Sequence, residues 1–189
     1  TRQTFEFDAG GTPRVITTTP NLRAGPTSSC TYTQIDQWGS EGTAGGQFKN
    51  PCGIAVDSAG NVYVTDPGNH RFQKFDSIIH VYGSDHGQFN SPCGIAIDSA
   101  GNIYIADQEN DQIQKFSSDG KYLLKWGSKG KGDGQFDYPT GIAVDSAGNV
   151  YVTDVLNFRV QKFDANGKYL SQWGSWGTGA GEFYWPWGI

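Results

Sequence analysis

The sequence contains no methionine, only three cysteines, no long apolar run and no surplus of basic residues. Because the initiator methionine is missing, we expect either that a leader was removed or that the chain is an excised piece. No apolar stretch approaches the roughly 20 residues that a transmembrane helix needs, and the N-terminus lacks the pattern of a signal peptide. We therefore expect no membrane insertion.

The charge balance argues against a nucleic acid as partner, because 14 basic residues stand against 19 acidic ones and the formal net charge is -5. Phosphate binding draws its affinity from counterion release, which requires clustered lysine and arginine. The chain also lacks the surplus of Leu, Ala, Glu and Lys typical of helical proteins. Its 27 glycines and 14% aromatic residues instead predict a fold of strands and turns.

Residues 1–31 are rich in threonine and proline, and we interpret them as an N-terminal arm or linker. Within them, the alternating run from Thr4 to Asp8 predicts a lone strand, and Thr17-Thr18-Thr19-Pro20 is typical of an extended linker. From Tyr32 the character changes, because residues 32–38 match the last strand of a repeat found further along. A leading strand is predicted there, without its three usual partners before it.

A repeated unit dominates residues 32–189. Full or nearly full copies occupy about 51–83, 92–127 and 139–174, and a last copy begins at 183 and stops at 189. Each full copy divides into four strand-like segments, a to d, separated by turn signals, although the first copy lacks the c–d glycine turn and should have a tighter hairpin. Apolar side chains fall on both faces of each sheet, as with Val150 and Val152 against Tyr151. Four strands in about 40 to 45 residues predict an all-β fold, a β-propeller of four-stranded antiparallel blades.

The motif Pro-x-Gly-Ile-Ala-Val-Asp-Ser-Ala-Gly-Asn-Val-Tyr-Val-Thr-Asp, followed by Asn-x-Arg-Val-Gln-Lys-Phe and Trp-Gly-Ser, resembles the NHL repeat. The resemblance covers residues 32–189 in three consecutive copies. It implies rings of usually six blades, so this segment, with about three full blades and partial ones, is expected to form an incomplete ring. The exposed apolar blade faces must then be covered, either by further blades after Ile189 or by self-assembly in which arcs pair or arms are exchanged.

Meander topology places the b–c loops and the d-to-a connections on one rim of the blades, and the three copies differ most there. This variable rim is the predicted binding face for a protein partner or a ligand, because its exposed aromatic residues would be unusual otherwise. The alternative is that these loops vary merely because they are exposed. The candidate binding residues are His70, His86, Asp111, Lys129, Lys131, Phe158, Trp176 and Trp187.

The polar residues that recur in every copy are interpreted as structural. Asp66, Asp107 and Asp154, with the nearby Asn and Arg positions, should hydrogen-bond the b–c turn. The a–b turns lack the spacing of acids in a calcium loop. No metal site and no cofactor are predicted.

Cysteine pairing follows from the expected distance between blades. Cys52 and Cys93 occupy the same position in adjacent blades, about 10 Å apart if the sheets stack face to face, whereas a disulfide needs Cα atoms within about 7 Å. We therefore expect Cys30 and Cys52 as the pair that can form a disulfide. Cys93 is then either a buried free thiol or an intermolecular bridge.

No catalytic residues are predicted. Lyases that resemble these repeats use metal-bound histidines in the funnel, but His70, His80 and His86 fall within one blade. RNA-binding NHL domains use a basic face, and only Lys129 and Lys131 lie there. We predict a non-enzymatic interaction or ligand-binding scaffold, extracellular or at the cell surface. The alternatives are a self-assembling surface or filament subunit, which deletion of residues 1–29 would test, and part of a lyase or hydrolase with catalytic residues elsewhere.

Overall fold

The computed structural model describes residues 2–7, 13–18, 33–37, 39–74, 77–78, 81–82 and 85–189, with side chains described over 39–74 and 85–189. Regular structure in this part of the chain consists of strands and of three short 3-10 turns, Pro67–Asn69, Gln108–Asn110 and Val155–Asn157. None of the helical segments described is long and apolar enough to cross a membrane.

The N-terminal region forms a three-stranded antiparallel sheet in the order β1 (Arg2–Phe7), β2 (Pro13–Thr18), β3 (Thr33–Gln37). The structure differs here from the sequence-based expectation of one lone strand and an extended linker at Thr17 and Thr18. Those two residues belong to β2, whose β-branched side chains favour a strand. The leading strand β3 is therefore paired with β2 and shares a sheet with both strands of the arm.

Three four-stranded antiparallel sheets follow, and they confirm the predicted propeller-type fold. Blade 1 is preceded by β4 (Ser40–Glu41) and β5 (Gln47–Phe48) and contains β6 (Ile54–Val56), β7 (Val62–Asp66), β8 (Arg71–Lys74) and β9 (Ser77–Ile78). Blade 2 is preceded by β10 (Val81–Tyr82) and β11 (Gln88–Phe89) and contains β12 (Pro92–Ile97), β13 (Ile103–Asp107), β14 (Gln112–Phe116) and β15 (Tyr122–Trp126). Blade 3 contains β16 (Pro139–Val144), β17 (Val150–Asp154), β18 (Arg159–Phe163) and β19 (Tyr169–Trp173).

The hairpin between strands c and d is shorter in blade 1 than in the other blades. Lys74 pairs with Ser77 in blade 1, whereas Phe116 pairs with Tyr122 in blade 2. The tighter hairpin expected from the missing glycine turn is confirmed.

Phenylalanines from the connections fill the space between consecutive blades. The ring of Phe89 lies 5.7 Å from that of Phe72 in blade 1 and 5.7 Å from that of Phe116 in blade 2, and all three side chains are fully buried. Phe136 repeats this arrangement one blade later, 5.6 Å from Phe163. Each connection therefore seals the joint between the sheets that it links, in addition to linking them along the chain.

The innermost strands approach one another far more closely than sheets stacked face to face do, and the disulfide is therefore not the one expected from the sequence. Cys52 and Cys93 form a disulfide with their Cα atoms 5.1 Å apart. The expected Cys30–Cys52 pair is therefore wrong, and so is the expectation that Cys93 is a free thiol; Cys30 itself lies outside the described residues. Propeller blades radiate from an axis, so their inner ends converge: a Cβ added to Gly94 would lie 3.0 Å from the backbone nitrogen of Ile142 in the next blade.

Blade 3 has an apolar face without a further blade on it. In blade 2, Trp126 packs on Phe163 of blade 3 at 5.8 Å. The equivalent Trp173 of blade 3 contacts Tyr151 of its own sheet and remains 42% exposed. The sheets do not close into a ring, as the sequence predicted.

Candidate binding rim

The lower rim, formed by the a–b turns (57–61, 98–102, 145–149) and the c–d turns (117–121, 164–168), is held by hydrogen bonds within each turn. Asp145 accepts hydrogen bonds from the N–H groups of Ala147 and Asn149, at 2.9 and 2.8 Å, from the Asn149 amide at 2.7 Å and from the Tyr151 hydroxyl at 2.9 Å. The same bonds surround Asp57 and Asp98. Among the described residues no group of three or more His, Cys, Asp or Glu side chains could hold a metal ion.

These bonds shift the acidity of Asp145. The hydrogen bond from the Asn149 side chain is the largest cause, and it lowers the pKa of Asp145 to about 2. A carboxylate that accepts several hydrogen bonds is stabilised in its charged form. The folded turn therefore stabilises the negative charge of Asp145.

Replacing Asp145 by asparagine should alter stability in a pH-dependent way. The folded-state pKa of about 2 lies below the ordinary value of 3.8 for aspartate, so the contribution of the carboxylate is complete above pH 3.8 and is lost as the pH falls to about 2. We expect denaturant titrations to show that the stability difference between wild type and Asp145→Asn shrinks across this range. Ser146→Ala, at the exposed neighbouring position, should show no such trend. A difference that stays constant with pH for Asp145→Asn would contradict the assignment.

A buried aspartate lies beneath the upper rim in each blade. The upper rim comprises the b–c turns (67–70, 108–111, 155–158) and the connections (39–53, 85–94, 127–141, 174–188). Asp154 is fully buried and accepts hydrogen bonds from the Asp137 N–H at 2.8 Å, from the Asn157 amide at 3.0 Å, from Arg159 Nε at 2.7 Å and from Gln161 Nε2 at 3.1 Å. Burial raises the pKa of Asp154, although all these donors favour its charged form. The predicted structural role of the recurring acids is thereby confirmed.

The arginine partner extends this anchor to the connection. Arg159 donates to the carbonyl groups of Lys131, Gly132 and Gln135 at 2.8 to 2.9 Å, so one guanidinium fixes the chain that enters the blade. In blade 2, Gln112 stands in the arginine's place and donates to Asp107 at 2.7 Å. Burial raises the pKa of Asp107 as well, and there the donors to the carboxylate are all uncharged.

Residues in the left-handed region link the turn of one blade to the next connection. His70 and Asp111 close their b–c turns with φ of 51°. The Ser91 N–H donates to His70 Nδ1 at 3.2 Å, and the Tyr138 N–H donates to Asp111 Oδ1 at 2.9 Å. His70 and Asp111, two of the predicted binding residues, therefore contact the following connection.

Two other predicted residues, His86 and Lys129, have neighbours of a different kind. His86 is exposed and stacks on Tyr122 of β15 with ring centroids 4.4 Å apart. Lys129 Nζ pairs with Asp137 at 3.0 Å and with Asp111 at 3.8 Å. Lys131 is exposed and contributes its backbone carbonyl to Arg159.

Phe158 belongs to an aromatic cluster at the C-terminal end of the upper rim. Its ring lies 6.3 Å from that of Trp185, which lies 6.4 Å from that of Trp187, which lies 6.5 Å from that of Tyr138. Tyr184 adds a fifth ring, 6.4 Å from Trp185. We call these five residues the aromatic cluster. Trp176, also predicted as a binding residue, is 67% exposed, and no described ring contact joins it to this cluster.

The candidate residues chosen from sequence included Phe158 and Trp187 but not Tyr138, Tyr184 or Trp185. The sequence signal that could have found them is the position in the repeat. Tyr138 and Trp185 occupy the same place in successive repeats as Asn50 and Ser91, and all four residues have a positive φ between 54° and 67°. Asn50 is exposed and Ser91 and Tyr138 are half-buried. This position therefore reaches solvent in every repeat, and the last two repeats place a large ring there.

Comparison with known families and structures agrees with this architecture. Models of the NHL repeat match residues 48–75, 89–116 and 136–163. No curated protein sequence matches the chain.

Solved structures share the fold at low sequence identity. A nidogen/laminin complex is similar with a TM-score of 0.61 and 21% identity, over 90% of this chain and 61% of that one. A structural genomics protein of unknown function from Bacteroides thetaiotaomicron gives 0.68 and 21%, over 99% and 50%. A catalytically inactive virginiamycin B lyase from Staphylococcus aureus with quinupristin gives 0.54 and 12%, over 88% and 53%. This chain thus spans 61% or less of the length of these three proteins.

Proposed function

Because this chain belongs to the NHL-repeat β-propeller family, we propose that it is a non-enzymatic scaffold that binds a protein partner on its upper rim. The aromatic cluster is the observation that carries this proposal. Trp185 and Trp187 are 41% and 55% exposed, and exposed aromatic groups of this size are typical of interaction sites. The lower rim, by contrast, repeats one self-contained turn from blade to blade.

Two histidines of the rim make contacts that fit a scaffold. His70 accepts the N–H of Ser91 in the following connection through Nδ1, and His86 stacks on Tyr122 of β15. Both contacts join a loop of the rim to another segment.

The disulfide supports a location outside the cytoplasm. Disulfides form and persist in oxidising compartments and are rare in the cytosol, and this one joins blades 1 and 2 at their inner ends. We therefore propose an extracellular or cell-surface location for the scaffold. Purification from the native source under rapid thiol alkylation would test it: a fully alkylated Cys52 and Cys93 would oppose the proposal.

Selection from a random peptide library displayed on phage would test the rim as the binding surface. The 189-residue chain is the target, and the double variant Trp185→Asn and Trp187→Thr serves for counter-selection. Asn and Thr occupy the equivalent positions in earlier repeats, as Asn50 and Thr140, so the variant should fold. We expect enriched peptides to bind the wild type and a lower-rim control, Ser99→Lys, but not the double variant. Peptides that bind all three equally would contradict the proposal.

A further inference from the structure

We propose that the aromatic cluster binds a proline-rich peptide segment in the polyproline II conformation, with a basic residue beside the prolines. This inference rests on the proposed function and specifies its ligand. Polyproline II segments dock on aromatic-lined grooves because they are already extended and lose little entropy on binding. Four properties of the cluster favour this ligand: its ring geometry, its free donors, its exposure and its charge.

The rings form a surface of ridges and notches. Trp185 and Trp187 are nearly parallel, with 16° between their planes, whereas Phe158 stands at 75° to Trp185 and Tyr138 at 86° to Trp187. Pyrrolidine rings fit notches between such side chains. The three successive ring-to-ring distances, 6.3, 6.4 and 6.5 Å, give a contour long enough for about two turns of a polyproline II helix, which advances about 9 Å per turn.

The cluster offers hydrogen-bond donors that the chain itself does not use. Among the described residues, no acceptor is bonded to the indole N–H groups of Trp185 and Trp187 or to the hydroxyl groups of Tyr138 and Tyr184. Indole is a donor without acceptor capacity. The carbonyl groups of a polyproline II ligand are free acceptors, because that helix has no internal hydrogen bonds.

Exposure of Trp185 follows from its place in the repeat. The equivalent residues Asn50, Ser91 and Tyr138 all retain solvent contact, although each of them is followed by a complete blade. The equivalents of Trp187, by contrast, include the buried residues Cys93 and Thr140. The position of Trp185 and Tyr138 in the repeat therefore keeps their rings accessible to solvent whether or not another blade follows.

Acidic residues outnumber basic ones in the segment that carries most of the cluster and in the other loops of the upper rim, and this favours a basic ligand. Residues 169–189 contain one formally charged side chain, Glu182, and no lysine or arginine. The neighbouring loops of the rim add four carboxylates and two lysines, and Lys129 is already paired with Asp111 and Asp137. Within the described residues Glu109 and Glu182 have no ion-pair partner. An arginine or lysine beside the prolines would meet this excess of negative charge. The carboxylates of these segments are Glu109, Asp111, Asp133, Asp137 and Glu182, and the lysines are Lys129 and Lys131.

A carbohydrate is the other ligand class that stacks on aromatic rings, and the cluster suits it less well. Sugar hydroxyl groups need convergent polar partners when they leave water. The five rings of the cluster provide two indole donors, and their only side-chain acceptors are the hydroxyl groups of Tyr138 and Tyr184. The cluster is thus matched to a ligand rich in apolar rings and free carbonyl groups.

Isothermal titration calorimetry of the 189-residue chain tests the proposal with four probes. They are a polyproline peptide with an arginine at each end, the same peptide with glutamates at its ends, a glycine-serine peptide of equal length with arginines, and cellohexaose. We expect the arginine-flanked polyproline peptide to bind most tightly. Trp185→Asn and Tyr138→Ser, which introduce the residues of the equivalent positions Asn50 and Ser91, should each weaken it about 30-fold, the effect of losing about 2 kcal/mol at an interface aromatic residue.

The control is Ser99→Lys, an exposed position in a lower-rim turn; it should leave affinity unchanged. Thermal unfolding midpoints of all variants show whether folding is preserved. Equal binding of the glycine-serine or the glutamate-flanked peptide, preferential binding of cellohexaose, or full affinity in both cluster variants would overturn the proposal. If the phage selection yields peptides that bind the upper rim but contain no proline, the proposed function would stand and the polyproline ligand would be wrong.

Discussion

Replacing Asp154 by alanine is expected to lower the free energy of unfolding by about 3 to 5 kcal/mol, because it leaves a buried charge without its partner. Arg159 donates from Nε to Asp154 at 2.7 Å and is 6% exposed. Without the carboxylate, the guanidinium keeps its carbonyl contacts but loses its counter-charge. Urea titrations monitored by tryptophan fluorescence measure the change.

Asp107→Ala provides the matched control, because the two aspartates occupy the same place in adjacent blades. Both are fully buried, but the residue opposite Asp107 is the neutral Gln112. Asp107→Ala leaves only neutral donors unpaired, at about 1 to 3 kcal/mol, whereas Asp154→Ala leaves a buried charge unpaired, so Asp107→Ala should be milder by about 1 to 2 kcal/mol. An equal or greater loss for Asp107→Ala would show that the arginine does not set the cost.

Replacing Cys52 and Cys93 together by alanine is expected to lower stability by about 4 kcal/mol through the entropy of the unfolded chain. The bridge joins residues 41 positions apart, and the gain from closing a loop of that size is about 4 kcal/mol in the chain-entropy description. Unfolding free energies of the oxidised wild type and the double variant give the difference.

Two further measurements test whether the loss of stability comes from the Cys52–Cys93 disulfide. Cys30→Ala should leave stability nearly unchanged, because Cys30 takes no part in the bridge. Thiol titration of the denatured, unreduced protein should find one free cysteine in the wild type and none in Cys30→Ala. Three reactive thiols in the unreduced wild type would contradict the Cys52–Cys93 pairing.

The repeat made the blades predictable from sequence, whereas contacts between blades were predictable only in part. The strands of blade 3 and the structural role of Asp154 follow from local pattern, since turn residues and alternation act over a few positions. The disulfide depends on how steeply the blades converge, which sequence spacing does not encode. The distance of about 10 Å between sheets stacked face to face led to the wrong disulfide pair. Gly53 and Gly94, which leave room for the backbone of the next blade at the inner ends, were the residues that indicated a closer approach.

The aromatic cluster was missed for a related reason. Tyr138 and Trp185 come 47 residues apart in sequence and are brought into one cluster through Trp187, whose ring contacts both. Choosing the residues that differ most within each loop found Phe158 and Trp187 but not the series to which Trp185 belongs. In the arm, residues 2–7 and 13–18 have strand composition, but their assembly into one sheet with β3 depends on contacts between segments distant in sequence.

The position occupied by Cys52, Cys93, Thr140 and Trp187 joins successive repeats by three different chemistries. Blades 1 and 2 share a covalent bond, blades 2 and 3 a hydrogen bond of 2.9 Å from Gln108 to Thr140, and the last repeat an edge-to-face contact between Tyr138 and Trp187. At this one position the link between repeats therefore weakens along the chain, from a covalent bond to a contact between two rings. The weakest of the three links lies where the exposed rings are.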